Sequence, residues 1–268
     1  MTADMRVVFL TGSHPRHAFM ARSLAASGVL VGLVIEQREA FIPEPPLDIA
    51  PNLRTLFRHH FAARDAAERR FFDGTVLPSV ERMDVGVDTL NSPDTAAFIN
   101  RLKPDIVLSY GVHKLTPETL HALSAARKWN IHGGLSPWYR GVTTHFWPSY
   151  FLEPRMTGMT IHETTEAIDG GALIHQSAGR LVRGDGLHDL ACRAVMSLAD
   201  DMPELTRVIS GGAMKPPHTQ GTTGRIWRSA DWRPEHLRLI YDVYEDRIVD
   251  HCLDGEFGHA EPKLFRQF

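Results

Sequence analysis

Val7-Val8-Phe9-Leu10 is an uninterrupted apolar run. Thr11-Gly12-Ser13-His14-Pro15 breaks it, and Phe19, Met20, Leu24 and Ala25 then recur at helical spacing until Gly28. A strand apolar at every position is buried on both faces, as in a parallel sheet covered by helices. Residues 29–35 form a second such run. Strand, helix and strand within the first 35 residues make a βαβ unit, and a right-handed crossover between parallel strands follows from it. Further along, residues 94–102 and 117–126 read as helices. Residues 105–110, 129–132, 156–163 and 172–181 read as strands, and 187–210 as a long helix. Residues 53–72 make another long helix, whose charges (Arg54, Arg58, Arg64, Asp65, Glu68, Arg69 and Arg70) are expected to form a solvated face. Residues 38–50 and 133–141 read as loops, 142–151 as helical at its start, and 215–224 as a linker. Proline opens a terminal helix at 234–250. The expected fold is α/β, a Rossmann-like, mostly parallel sheet flanked by helices. A catalytic domain is expected over 1–212 and a C-terminal helical extension packed on it over 213–268.

Composition narrows the function. The 268 residues carry 29 Lys+Arg against 32 Asp+Glu, a net charge of −3. A dedicated nucleic-acid binder needs a basic surplus, so no nucleic-acid partner is expected. The apolar run at 5–10 is too brief for a signal or a span, and no stretch approaches about 18 apolar residues, so a cytoplasmic location without a membrane partner is expected. Cys192 and Cys252 make neither a disulfide framework nor a metal-type pair. The 15 histidines raise the question of a metal. His59 and His60 are adjacent rather than one turn apart, and His-Glu-x-x-His is absent, so no metal is expected.

The chemistry concentrates at Asn130, His132 and Asp169. Asn130 and His132 are two apart on a strand and share a face. They lie at the carboxyl end of that strand, where open α/β sheets place ligands. Asp169 sits in the turn Glu166-Ala167-Ile168-Asp169-Gly170-Gly171. An amide can donate to a developing oxyanion, an imidazole can move a proton near neutrality, and a carboxylate can orient and stabilise the imidazolium. Gly-x-Ser-x-Gly is absent, so direct attack by a substrate amine is more natural than a covalent intermediate. Gly12-Ser13-His14-Pro15 enters a helix and is an anion- or acceptor-site candidate.

Asn130-Ile131-His132-Gly133-Gly134-Leu135-Ser136-Pro137-Trp138-Tyr139-Arg140-Gly141 resembles the folate-dependent formyltransferase pattern N-x-H-x-x-L-x-P-x-Y-R-G. Thr157-Gly158-Met159-Thr160-Ile161-His162 and Ile168-Asp169-Gly170-Gly171 resemble that family's T-G-x-T-x-H and I-D-x-G, and Gln176 fits the glutamine that ends the next strand. The resemblance spans roughly residues 5–210, is carried by 104–178, and leaves 38–90 without a counterpart. It implies 10-formyltetrahydrofolate as co-substrate and Asn130, His132 and Asp169 as catalytic residues. Asn130 and protonated His132 would stabilise the oxyanion. Val112, Lys114, Leu115, Thr165, Ala167 and Ile168 are implied at the folate site. Gly12, Ser13, Gly133, Gly134, Trp138 and Tyr139 are implied at the acceptor. Gly133-Gly134 departs from the family's Pro-Ser, which bears on acceptor identity. The expected activity is N-formyl transfer to a small-molecule amine, an amino sugar or a hydroxyornithine-like amino acid. A homodimer is the expected assembly. The alternatives are a 10-formyltetrahydrofolate hydrolase and a methionyl-tRNA formyltransferase-like enzyme.

Overall fold

The computed structural model describes residues 5–37, 43–221, 224–258 and 261–268. Parts of the expected 38–50 loop and 215–224 linker lie outside the described residues. The strands are β1 (Val7–Gly12), β2 (Leu30–Glu36), β3 (Glu81–Val85), β4 (Ile106–Tyr110), β5 (Arg127–His132), β6 (Tyr139–Gly141), β7 (Gly158–Glu163), β8 (Leu173–Ala178) and β9 (Arg225–Trp227). The helices are α1 (Pro15–Ala26), α2 (Pro51–Phe72), α3 (Pro93–Arg101), α4 (Pro117–Ala122), α5 (Trp147–Tyr150), α6 (Leu187–Ser210) and α7 (Ile248–Leu253).

Seven strands form one sheet in the order β3-β2-β1-β4-β5-β7-β8. The first five are parallel, and β7 and β8 run antiparallel to their neighbours. Because β1 pairs with both β2 and β4, every residue of Val7–Gly12 is buried. Val7 and Phe9 face the core shared with α1 and α6, while Val8 and Leu10 face the one shared with α3. Strand order reverses between β1 and β4, and a reversal of this kind opens a crevice at the carboxyl ends of the strands. Local chemistry sets the helix starts. Ser92 and Thr116 accept from the backbone N–H groups of Thr95 and Thr119, each ahead of a proline at the first helical position.

Several sequence expectations change. The expected 133–141 loop ends in the short strand β6. β3 has no counterpart in them: Glu-Arg-Met-Asp-Val is an edge strand, mostly exposed, so it lacks apolar alternation, and its charges guard the open edge. Within 142–151 only α5 is α-helical. The expected helix over 234–250 is broken into a 3-10 turn (Pro234–His236), a π turn (Leu239–Val243) and α7, with Glu245 and Asp246 at positive φ between the last two. The Asp246 carboxylate there accepts the Leu187 N–H at the start of α6, so the tertiary cap overrides the local helix.

The chain after α6 returns to the core twice. β9 pairs in parallel with β6, and Trp227 stacks on Trp147 with ring centroids 4.1 Å apart. Further on, Gln176 N donates to Phe265 O at 2.8 Å, and Phe265 N donates to Gln176 Oε1 at 3.0 Å. Gln176 Nε2 in turn holds Ser136 O and Thr160 Oγ1. One buried amide thus ties residue 265 to the loop that follows His132.

Candidate active site

The end of β5 and the β7–β8 loop bring the three expected catalytic side chains together. His132 Nδ1 lies 3.4 Å from Asp169 Oδ2, and Asp169 Oδ1 lies 3.3 Å from His162 Nε2. Asn130 Nδ2 approaches the same His162 nitrogen at 3.3 Å. Ser109 Oγ donates to Asn130 Oδ1 at 2.8 Å, which turns the amide nitrogen toward His162. Asp169 adopts φ +45°, a left-handed conformation that Asp tolerates better than most residues. It accepts the Gly141 N–H on Oδ2 at 2.7 Å. The turn is held close: a Cβ on Gly171 would collide with the Glu163 carbonyl, and one on Gly141 with the Trp227 carbonyl.

His132 Nε2 lies 2.7 Å from the Tyr139 carbonyl, so both ring nitrogens face oxygen. Burial lowers the His132 pKa against the opposing pull of Asp169 and the Tyr139 carbonyl. The resting ring is therefore neutral at pH 7, and its surroundings reward a second proton. Burial alone would raise the Asp169 carboxyl, but His132, His162 and the Gly141 N–H outweigh it and hold it at about 2. Gly134 explains the departure from Pro-Ser. A Cβ there would sit 2.5 Å from Tyr139 O and 2.6 Å from His132 Nε2. With this loop path, only glycine lets the ring reach that carbonyl.

Two cavities flank this group. The first, about 460 Å³, is lined by Asn130, His162 and Asp169 together with Val112, Lys114, Leu115, Thr165, Ala167 and Ile168. All six residues assigned to the folate site thus share a wall with two of the catalytic trio. Lys114 Nζ donates to Glu166 O at 2.8 Å and joins the two loops. Among the described residues no group of three His, Cys, Asp or Glu is placed to hold a metal.

The second cavity, about 450 Å³, lies between α1, α2, α6 and the segment 142–146, and shares Val142 and Ser229 with the first. Of the six expected acceptor residues, Gly133 lines it. Gly12 and Ser13 do not. Gly12 instead makes room for the His17 ring, which a Cβ would approach to 2.8 Å. Gly134 serves the His132 contact described above. Trp138 and Tyr139 line a separate hollow with Phe151 and Trp227, and Tyr139 is buried with its hydroxyl donating to Glu153 at 2.8 Å. Gly133 and Trp138 with Tyr139 thus line different hollows although they lie in one loop.

The formyl transferase family model ("Formyl transferase") matches residues 63–201. The chain belongs to this family. Its members transfer formyl groups in a folate-dependent reaction, and the chain is an enzyme of that kind. Solved structures agree on the fold. A sugar N-formyltransferase from Shewanella sp. is 16% identical with a TM-score of 0.56, over 88% of this chain and 87% of that one. A phosphoribosylglycinamide formyltransferase from Anaplasma phagocytophilum is 17% identical with a TM-score of 0.56, over 84% and 99%. The formyltransferase PseJ from Anoxybacillus kamchatkensis is 16% identical with a TM-score of 0.51, over 90% and 95%, and was solved with tetrahydrofolate and UDP-4,6-dideoxy-4-formamido-L-AltNAc.

This formyl transferase also places residues near the site that sequence reasoning passed over. Fully buried Glu36 at the end of β2 takes the His113 N–H at 2.9 Å and lies 2.6 Å from His113 Nδ1, fixing the loop that carries Val112, Lys114 and Leu115. The expected solvated face of α2 is divided. Arg58, Arg69 and Arg70 are exposed, whereas His60 and Glu68 are buried and, with Arg64, line the second cavity. The 60, 64, 68 spacing is the available signal, since residues four apart share a helix face.

Proposed function

We propose that the enzyme moves the formyl group of 10-formyltetrahydrofolate to the amine of a small molecule, an amino sugar or a hydroxyornithine-like amino acid, by direct attack of that amine. The observation that carries the reading is the shared wall of the first cavity, where the folate-site residues meet Asn130 and Asp169. Its volume of about 460 Å³ falls in the range of small-ligand sites, roughly 300–1,000 Å³. The loops at 111–115 and 164–169 offer backbone donors and acceptors to a flat heterocycle. PseJ, with tetrahydrofolate and a nucleotide-linked sugar in one structure, supports the same pairing of donor and acceptor sites.

Bound in the first cavity, the donor supplies a formyl carbon on a nitrogen able to leave. A carbon–nitrogen bond forms to the amine, the bond to the folate nitrogen breaks, and the amine proton ends on that nitrogen. Asn130, held by Ser109, has an N–H to offer the charge growing on the formyl oxygen. Neutral His132 takes the amine proton, Asp169 stabilises the resulting imidazolium, and the ring then gives that proton to the departing folate nitrogen. His162 braces Asp169 from the other side.

The test is donor-consumption kinetics with 10-formyltetrahydrofolate across a panel of amines, with His132→Ala as control. The reading expects amine-dependent donor loss that collapses in the variant. Donor loss to water alone, unaffected by every amine, replaces it with the hydrolase reading.

A further inference from the structure

Val142 lines both cavities, and the four residues after it, 143–146, line only the second. Thr143 sits there at φ +54°, a left-handed conformation that is an outlier for a β-branched side chain. Strain of this kind persists where the surroundings over-determine it, and it clusters at turns that hold ligands. Thr144 fixes the turn by donating its hydroxyl to Gly133 O, beside His132. The turn thereby carries the His145 ring to the wall of the second cavity.

Gly133 makes the room that His145 occupies. A Cβ at 133 would stand 3.2 Å from His145 Cε1 and 3.3 Å from Nε2, tighter than an ordinary contact. The glycine that stands where the family pattern has proline and this histidine are therefore one feature. His145 Nε2 lies 3.2 Å from Gly158 O. A carbonyl only accepts, so Nε2 carries the hydrogen, and in the neutral ring Nδ1 is a bare lone pair. Burial foremost, then His132 and Arg16, outweigh the Gly158 carbonyl and hold the ring at about 4, so it is neutral at pH 7. Among the described residues Nδ1 has no hydrogen-bond partner. A polar atom left unmatched on the wall of a cavity is matched by what the cavity holds.

We propose that His145 receives the acceptor amine in the second cavity, taking one N–H or O–H hydrogen bond on Nδ1 and leaving the nitrogen lone pair for the formyl carbon. The proposal rests on the formyl-transfer reading above. It sets a rule for the acceptor. A primary amine has two hydrogens. One passes to His132 as the new carbon–nitrogen bond forms, and the other stays on nitrogen and holds to His145 through to the formamide product. A hydroxylamine, R–NH–OH, meets the same demand with its N–H and its O–H. An N-methylamine has a single hydrogen and must give it up. It leaves Nδ1 unmatched, and a buried acceptor without its donor is costly.

The experiment measures donor consumption with 10-formyltetrahydrofolate and paired acceptors. Ornithine, N5-hydroxyornithine, glucosamine 6-phosphate and nucleotide-linked amino sugars are screened, and the best of them is compared with its N-methyl counterpart. The wild-type enzyme is expected to favour the parent amine by about tenfold or more in kcat/KM. His145→Leu removes the lone pair. It is expected to raise the acceptor KM by about three- to tenfold, to shrink the preference over the N-methyl compound by a similar factor, and to leave the donor KM unaltered. His145→Asn sets an amide oxygen close to the place of Nδ1 and is expected to restore part of both. Gly133→Ala presses on the ring and is expected to weaken the preference when His145 is present, but not in the His145→Leu background. Thermal unfolding shows which variants are folded, and any one of them suffices to read the preference. The proposal is overturned if the wild-type enzyme uses the N-methyl compound as well as its parent. It is overturned equally if a folded His145→Leu or Gly133→Ala enzyme keeps the full preference, or if the donor KM moves as far as the acceptor KM. Donor loss that no amine stimulates sinks the formyl-transfer reading itself; amine transfer that needs His132 and ignores His145 sinks only this inference.

Discussion

The two cavities adjoin at Val142 and Ser229 and are built in opposite ways. The first is made largely of loops, 111–115 and 164–169, held by ties such as Lys114 to Glu166 and His113 to Glu36. The second is made of helix side chains from α1, α2 and α6 that converge from distant parts of the sequence. A wall of backbone can serve one fixed ligand in many relatives. A wall of helix side chains can be exchanged residue by residue, and it suits the partner that differs between enzymes.

Changes at the shared centre should spare neither side. His132→Ala is expected to lower kcat by about 100- to 10,000-fold for every acceptor, measured as donor consumption. A loss confined to one acceptor would divide the centre between the cavities. Asp169→Asn leaves the turn intact and is expected to cost about 100- to 1,000-fold in kcat through the lost carboxylate charge; near-wild-type turnover would remove its role. Gly134→Ala pushes on both His132 Nε2 and Tyr139 O, and an ångström of displacement at a reacting group costs about 100-fold. A crystal structure of that variant with the ring unmoved would show that the loop gives way instead.

The cavities themselves separate in KM. Lys114→Ala is expected to raise the donor KM by about three- to tenfold, the worth of one hydrogen bond, with the acceptor KM unaltered. An equal rise in both would mean the two walls are not independent. The smallest effect is in pH. His132 acts from its neutral form, and burial lowers its pKa, so kcat/KM should rise through a midpoint below the ordinary histidine value near 6.5 and then stay level. Asp169, at about 2, adds no limb near neutrality. A midpoint above about 7 in the pH profile would contradict this.

The same contrast governs what the sequence discloses. β1, β2, β4 and α6 are readable because two-sided burial and a long apolar stripe leave periodic marks. Asn130 with His132, and Asp169 with Thr165, Ala167 and Ile168, each fall within one short segment, so local motifs disclose the proposed site residues. Glu68 and Arg16 are 52 residues apart and meet only when α1 and α2 cross. On α2 the charges at 64, 68, 69 and 70 look alike as letters, and only packing decides which of them turns inward. β3, exposed and charged, leaves no pattern. The 234–250 helix fails because a contact with α6 outweighs local propensity.

Gln176 gives the fold a timetable. The same amide that holds the loop after His132 takes the N–H of Phe265, translated 89 residues later. At a synthesis rate of about 5–20 residues per second, that interval is about 4–18 s. A nascent chain arrested before residue 265 would carry Asn130, His132 and Asp169 on an active site still lacking one of its fastenings. One fastening of that loop is therefore synthesised well after the residues proposed to do the chemistry.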